Sequence, residues 1–421
     1  MSAQRALVLG LARSGEAAAT ALRAQGDSVV GFDRKADLDD AVLRRLASLD
    51  VEVHLGEEEE TLLSGIDVVI KSPGVPGEMP LVVGARARGI PVWSEIELGA
   101  RLLDNPLVGV TGTNGKTTTT ALLGEIFRAG GRPVEVAGNI GRPLTSLVGS
   151  VDPAVWIVCE LSSFQLEDVE SLRPRVAVLL NLESDHLDRH ASIDAYRDAK
   201  LRLFARQSED DVAVVPRGFG PVPGAAQRVE FSGDDGLPGP LRLRGAHNRE
   251  NAAAATAVAR AVGVPDDAIA RALASFAGVE HRIEEVGVVH GVRFVNDSKA
   301  TNVAAALRAL ASFDEPLHVI LGGLGKHESY APLAAAFGPH DRAYLIGVAA
   351  SEISAALDAA GVEYEHDGNL ASALAAASAA AQDGDVVLLS PACASFDQFE
   401  SFEQRGDTFR ALVRGLAAES T

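Results

Sequence analysis

At 421 residues the chain is long enough for about three domains of roughly 150 residues each. Hydrophobic residues make up 47% and charged residues 23%, a globular balance that excludes a largely disordered chain. The 58 acidic residues against 38 basic ones leave a net charge of −20, which speaks against nucleic acid as a partner, because that affinity rests on a basic footprint. An anionic small ligand stays possible, since a few local cations and backbone N–H groups can outweigh the global field.

Only two cysteines occur, Cys159 and Cys393, so a secreted disulfide scaffold is excluded and a cytoplasmic protein is expected. The opening stretch MSAQRALVLGLARSG has too short an apolar run for a signal peptide and ends in a glycine turn. No window approaches the roughly 20 apolar residues of a membrane span.

Short β-rich runs alternate with Ala-rich helical runs, the pattern of an α/β chain built from βαβ units on parallel sheets. The first strands are expected at Arg5 to Gly10, Ser28 to Asp33, Val51 to His54 and Ile66 to Lys71, with a helix from about Ser14 to Gln25. A second series has strands at Leu107 to Val110, Val134 to Val136, Val155 to Glu160 and Val176 to Leu180. The stretch Arg217 to Pro240 is rich in Gly and Pro and reads as loop, and Asn248 to Val262 as a long helix. A third series has strands at Val292 to Asn296, Leu317 to Leu321, Ala343 to Ile346 and Asp385 to Leu389. The divisions fall at 1–94, 95–279 and 280–421.

The turn Gly10-Leu11-Ala12-Arg13-Ser14-Gly15 approximates the dinucleotide pattern G-x-G-x-x-G, with Ala12 at the middle glycine and Asp33 ending the next strand. On this motif alone a nicotinamide oxidoreductase or an empty packing turn stays open. The run Thr111-Gly112-Thr113-Asn114-Gly115-Lys116-Thr117-Thr118 is stronger, lying between an apolar strand and a helix. Its glycines let the backbone wrap a phosphate, the helix N-terminus adds N–H donors, Lys116 meets the β/γ-phosphates and Thr117 reaches Mg²⁺. It departs from G-x-x-x-x-G-K-[ST] by one residue, because Val110 stands at the first glycine.

Glu160 ends a strand, and the run Asp185-His186-Leu187-Asp188-Arg189-His190 follows the strand Val176 to Leu180. Strand C-terminal ends gather at the ligand crevice of an α/β sheet, so Lys116, Thr117, Glu160 and His186 can converge. Asn248 and Asn251 stand three apart at a helix start, suited to an adenine edge or to capping. Arg282 suits a nucleotide or a surface ion pair. The strands of the third series run into NDSKATN, GGLGK and SPACASFDQF, three loops of a prospective crevice.

Taken in order, GLARSG, SPG, TGTNGKTT, GNIG, ELSSFQL, DHLDRH, AHNRENAAAA, HRIE, NDSKATN, GGLGK and SPACASFDQFESFEQRG resemble the Mur ligase family of ATP-dependent amide-forming enzymes in peptidoglycan synthesis. The match spans the whole chain. NDSKATN with SPACASFDQF and FEQRG resembles the member that adds D-glutamate to UDP-N-acetylmuramoyl-L-alanine. Sister ligases for other amino acids, and folylpolyglutamate synthetase, share the P-loop and differ at these stretches.

The resemblance implies a Rossmann-like N-terminal domain for the UDP-sugar, a central P-loop ATPase domain and a Rossmann-like C-terminal domain for the amino acid. It implies that Leu11, Ala12, Arg13, Ser14, Asp33, Arg34, Lys35, Ser72, Pro73, Gly74 and Asn139 line the UDP-sugar site. Nucleotide would lie against residues 112–118 (Gly112, Thr113, Asn114, Gly115, Lys116, Thr117, Thr118), with Asn248, Asn251, Arg282, Asp297 and Lys299. D-glutamate would be held by Thr301, Lys326, Ser395, Phe396 and Phe402. Two Mg²⁺ sites are implied, using Thr117, Glu160, His186 and a carbamylated Lys200; Lys116, Glu160, His186 and Lys200 form the catalytic set. A monomer is expected. Ala12 replaces a common glycine, and Lys35 stands where relatives can carry Arg.

Overall fold

A computed structural model of the chain describes residues 4–139, 141–183, 192–326 and 328–419. Two compact units divide it: Met1–Arg242 with Ala246–Phe276, and Leu243–Gly245 with Ala277–Thr421.

The first unit holds two parallel sheets. β1 (Arg5–Leu9), β2 (Ser28–Asp33), β3 (Glu52–Leu55), β4 (Val68–Lys71) and β5 (Val92–Ser94) lie in the order β3-β2-β1-β4-β5. β6 (Leu107–Thr111), β7 (Val134–Gly138), β8 (Trp156–Glu160), β9 (Val176–Leu179), β10 (Val212–Pro216) and β11 (Gln227–Phe231) lie in the order β11-β10-β9-β6-β8-β7. The central strands are apolar at nearly every position because helices cover both faces. β6 and β9 are buried throughout. In β1, Ala6 and Val8 pack with Leu11, Ala18 and Leu22, while Leu7 and Leu9 pack on the other face with Leu63, Leu81 and Val82.

The second unit has one sheet. β12 (Glu284–Val289), β13 (Val292–Asn296), β14 (Leu317–Gly322), β15 (Arg342–Ile346), β16 (Glu363–Gly368) and β17 (Val386–Leu389) lie in the order β12-β13-β17-β14-β15-β16. All pairs are parallel except β12 with β13. The sequence reading had only parallel series and placed the first strand of this one, which begins at about Glu280, at Val292. The structure opens it with a hairpin, turned at His290 (φ 50°) and Gly291 (φ 79°). Two consecutive positive φ angles are what a tight two-residue turn between twisted strands requires. β11 likewise lies inside the stretch expected to be loop; its sequence QRVEF is largely exposed.

Among the described residues, no helix is long and apolar enough to cross a membrane.

Candidate functional site

In the first sheet the winding reverses between β1 and β4, where an α/β sheet opens a crevice beyond its strand ends. Gly10 (φ 82°) turns the chain out of β1 into the helix Arg13–Ala24. A Cβ on Gly15 would lie 1.8 Å from the Gly10 carbonyl oxygen, so only glycine lets the helix start this close to the turn. Leu11 N–H donates to Asp33 Oδ2 at 2.7 Å and Lys35 N–H to Asp33 Oδ1 at 3.0 Å. The Ser72 hydroxyl donates to the Gly10 carbonyl at 2.8 Å. The loops after β1, β2 and β4 are thus tied together, which gathers Leu11 to Ser14, Asp33 to Lys35 and Ser72 to Gly74 at one edge. Arg34 pairs there with Glu58, Nε to Oε1 at 2.7 Å.

Arg13 donates to the Gly141 carbonyl at 3.3 Å, which brings the loop after β7 to the same edge. Asn139 in that loop faces the second sheet: its N–H donates to the Glu160 carbonyl at 2.8 Å and its side-chain amide to Glu160 Oε1 at 3.4 Å. Asn139 therefore touches the Glu160 carboxylate beside the loop that Arg13 holds. A Cβ on Gly138 would meet the Glu160 carbonyl oxygen at 2.2 Å, so the approach depends on that glycine.

β6 is central in the second sheet, with Val110 opposite Glu160 and Thr111 opposite Leu179. The glycine loop leaves its end and enters the helix Lys116–Ala129 through Gly115 (φ 80°). A Cβ on Gly115 would lie 2.1 Å from Asn251 Oδ1, which places Asn251 directly against the loop. The helix carrying Asn251 runs Ala246–Ala261, starting earlier than the sequence reading placed it. Asn248 is therefore inside the first turn, and its Oδ1 accepts from the Asn251 amide at 3.3 Å.

The loop is braced from two sides. Asn114 N–H donates to Asn181 Oδ1 at 2.8 Å, and the Asn114 amide to Glu183 Oε2 at 2.8 Å. The Tyr196 hydroxyl donates to Thr113 Oγ1 at 3.1 Å. Lys116 Nζ donates to the carbonyls of Gly112 and Thr113, both at 2.8 Å, and Lys200 Nζ donates to the same Gly112 carbonyl at 2.8 Å. Two ammonium groups converging on one oxygen build a local positive potential suited to an anion. Thr117 and Thr118 are buried, and Lys200 is 1% exposed.

Glu160 is 2% exposed and lies with Thr117 at the C-terminal side of this sheet. A carboxylate plus a hydroxyl is the hard-oxygen set that Mg²⁺ takes together with phosphate oxygens and waters, so these residues fit that ion. Among the described residues, no group of three or more His, Cys, Asp or Glu side chains forms a metal cage. His186 lies outside the described residues.

In the second unit, the loops after β13, β14 and β17 meet. Gly322 N–H donates to the Pro391 carbonyl at 2.9 Å, and Leu324 bridges Ala394. Asp297 is buried, accepting from Ile283 N–H at 3.2 Å and from the Ser390 hydroxyl at 2.9 Å. Burial pushes its carboxyl up to about 7, against the opposing Ser390 hydrogen bond and the Arg282 charge. Lys326 Nζ donates to Thr301 Oγ1 at 3.4 Å, so this pair is assembled. Lys299 Nζ lies 5.8 Å from the Phe402 ring centre. Ser395 is buried, whereas Phe396 is 68% exposed.

Sequence reasoning missed Arg405. It is 1% exposed, and its guanidinium donates to Ser298 Oγ at 3.0 Å, the Ser298 carbonyl at 2.9 Å and the Cys393 carbonyl at 3.1 Å. Burial pushes it down to about 10. Ser298 Oγ in turn donates to the Phe402 carbonyl at 2.8 Å, so one cation ties three segments of this crevice. Its signal was the Arg of FEQRG. Tyr196 was also missed; a Tyr one helical turn before Lys200 was its signal.

Residues 4–94 match the MurD-like N-terminal domain of Mur ligases, residues 110–218 the Mur ligase middle domain, and residues 281–393 the Mur ligase glutamate ligase domain. The chain is 45% identical to the UDP-N-acetylmuramoylalanine–D-glutamate ligase of Anaeromyxobacter dehalogenans (strain 2CP-C), covering 97% of each chain. It is 42% identical to the enzyme of the same name from Myxococcus xanthus (strain DK1622), covering 99% of each. Among solved structures, the chain resembles UDP-N-acetylmuramate-alanine ligase MurC of Thermotoga maritima, with a TM-score of 0.61, 19% identity and coverage of 98% and 99%. It also resembles the MurF ligase of Thermotoga maritima in complex with ADP, with a TM-score of 0.60, 17% identity and coverage of 94% and 96%.

Proposed function

The chain belongs to the Mur ligase family, and we propose that it adds D-glutamate to UDP-N-acetylmuramoyl-L-alanine at the expense of ATP, in peptidoglycan precursor synthesis. The observation that carries this reading is full-length identity above 40% to enzymes of that name, joined to an anion-ready glycine loop beside a buried Glu160.

A carboxylate resists an amine because it is anionic and would have to expel oxide. Transfer of the γ-phosphoryl group of ATP onto the substrate carboxylate gives an acyl phosphate, whose leaving group is phosphate. The D-glutamate amine then attacks that carbonyl carbon, and the amide, ADP and phosphate result. Two anions must approach each other in the first step, so the site has to supply positive charge where they meet. Lys116 and the N–H groups at the start of its helix do so for the nucleotide phosphates. Thr117 and Glu160 would hold Mg²⁺, which neutralises phosphate charge when bound. Asn139 orients the Glu160 carboxylate, and Asn248 with Asn251 offers amides to adenine. In the second unit, Lys326 and Thr301 would bind a glutamate carboxylate, and Phe402 would flank it.

Lys200 is proposed to carry a carbamate. Its neutral amine attacks carbon dioxide, a C–N bond forms and one proton leaves, turning a cation into an oxygen donor. The burial of Lys200 and its approach to the oxygen that Lys116 also contacts support this: reversing one of the two charges relieves their repulsion. A cytoplasmic monomer is part of this reading.

The test is ADP release by the purified protein. Release that requires both UDP-N-acetylmuramoyl-L-alanine and D-glutamate is expected. Release with neither, or with D-glutamate exchangeable for L-alanine, would contradict the proposal.

A further inference from the structure

Between the first sheet and the segment that follows Glu160 lies a buried charge cluster that the proposed chemistry does not use. Lys71, the last residue of β4, is 1% exposed. Its ammonium stands 2.7 Å from Asp168 Oδ2 and 3.9 Å from Glu167 Oε2. The Lys71–Asp168 contact falls outside hydrogen-bond geometry, so the attraction is Coulombic. Asp168 is 6% exposed, and its other oxygen pairs with Arg86 at 2.6 Å. Its carbonyl accepts from Ser94 N–H at 2.9 Å. A cavity of about 740 Å³ borders the cluster, lined by Arg86, Phe164, Glu167, Asp168 and Arg202 among others.

Both partners adjoin the machinery. Lys71 is followed directly by Ser72, Pro73 and Gly74, and Ser72 donates its N–H to the Leu9 carbonyl and its hydroxyl to the Gly10 carbonyl. Asp168 follows the short helix Ser163–Leu166, which follows Glu160 at the end of β8. The ion pair therefore joins the loop assigned to the UDP-sugar to the segment carrying the carboxylate assigned to the metal. A buried ion pair fixes a distance more than it adds stability, because desolvation offsets most of the attraction. Phosphoryl transfer is sensitive to such a distance, since it requires the acceptor oxygen in line with the γ-phosphorus.

We propose that Lys71 is a positioning residue: paired with Asp168, it sets the separation between the UDP-sugar carboxylate and the ATP phosphates. The inference rests on the ligase reading above. A rigid linkage within the first unit should matter for the first chemical step and not for binding of either substrate alone.

The experiment compares wild type, Lys71→Met, Lys71→Arg and the double variant Lys71→Met/Asp168→Asn, with the melting temperature of each. For Lys71→Met we expect kcat to fall at least tenfold, with KM for the UDP-sugar and for ATP within threefold of wild type. Lys71→Arg should recover part of kcat. In Lys71→Met the buried Asp168 carboxylate keeps only Arg86 as a close partner; the double variant removes that charge, so it should regain part of the thermal stability while kcat stays low. A wild-type kcat in the Lys71→Met or double variant would overturn the proposal, as would a rise in KM for the UDP-sugar that accounts for the whole loss. If Lys71→Met fails to fold, the double variant carries the test alone, and recovery of kcat together with stability would show a purely structural role. Wild-type ligation is measured alongside: its absence would defeat the ligase reading, whereas normal wild-type turnover with an undiminished variant defeats only the positioning role.

Discussion

Lys116 and Lys200 reach the Gly112 carbonyl from different helices, each at 2.8 Å, and the proposed chemistry gives them opposite duties. Lys116 stays a cation against phosphate. Its replacement by alanine should leave the melting temperature nearly unchanged, since loss of its hydrogen bonds to loop carbonyls costs only about 1 kcal/mol each. Ligation should fall by a factor of about 100 or more, the usual loss when a charge-stabilising group is removed from a reacting centre. A folded Lys116→Ala protein with normal turnover would remove the glycine loop from the mechanism. Lys200, as a carbamate, should behave differently. Lys200→Ala should lose most activity, and acetate or formate should restore part of it by supplying the missing carboxylate. Labelled bicarbonate should give a carbamate resonance in wild type that Lys200→Ala lacks, whatever the turnover. In the second unit, Lys326→Ala should raise KM for D-glutamate at least tenfold while changing that for ATP little; equal changes in both would misplace the amino-acid site. The glycine loop was legible because a strand, two glycines and a helix start state their purpose locally. Lys200 was not legible from its residue type, because a helical lysine is by default solvated; its 1% exposure and its contact with the Gly112 carbonyl set it apart.

At the scale of elements, most buried strands announced themselves and several outer ones did not, although the interior β10 was missed and the edge strands β3 and β7 were read. β6 and β14 are buried at every position and apolar at all but Thr111 and His318. β11 (QRVEF) and β16 (EYEHDG) stand at sheet edges and are mostly polar and exposed, which discourages pairing with another chain and also erases the hydrophobic pattern a reader looks for. The hairpin β12–β13 escaped because its turn is His290-Gly291 in place of the commoner Asn-Gly. The same scale holds a pH-dependent contact. Glu95, at the start of the helix Glu95–Leu102, accepts from Thr145 N–H at 2.6 Å and from the Thr145 hydroxyl at 2.7 Å, pinning the segment after the Asn139 loop. Burial pushes its carboxyl from 4.5 up to about 7, with the Thr145 bonds opposing the rise. The folded state therefore binds this proton more tightly than the unfolded chain. That contribution to stability is complete below the unfolded value and is lost as pH rises towards the folded one, by up to about 3 kcal/mol. The melting temperature of the ligand-free protein should thus fall between about pH 4.5 and 7 through this residue. Glu95→Gln, which keeps the acceptor oxygen and cannot ionise, should flatten that dependence. An unchanged slope in Glu95→Gln would show that Glu95 is ionised in the folded protein.

The molecule as a whole places its chemistry at strand ends in three sheets, and a net charge of −20 does not prevent it from presenting cations where phosphates and carboxylates must lie. Lys116 in the first unit, and Lys299, Lys326 and Arg405 in the second, stand at or beside those ends. This was readable as an ordered series of motifs, because each loop after a strand carries its own residues. What joins the loops was not readable: Arg405 across three segments and Lys71 to Asp168 are contacts between residues far apart in sequence, each an ordinary charged side chain by type. The central claim is that the chain activates the carboxylate of a UDP-sugar peptide and delivers it to D-glutamate. The most direct measurement offers the purified protein ATP, Mg²⁺, UDP-N-acetylmuramoyl-L-alanine and an equimolar mixture of D-glutamate, L-glutamate, L-alanine and L-lysine, and reads the nucleotide product by mass spectrometry and the residual amino acids by chiral chromatography. The account predicts one product, lengthened by a single glutamyl residue, with D-glutamate alone consumed and one ADP formed per amide. A product carrying another amino acid, or ADP formed without any amide, would contradict it.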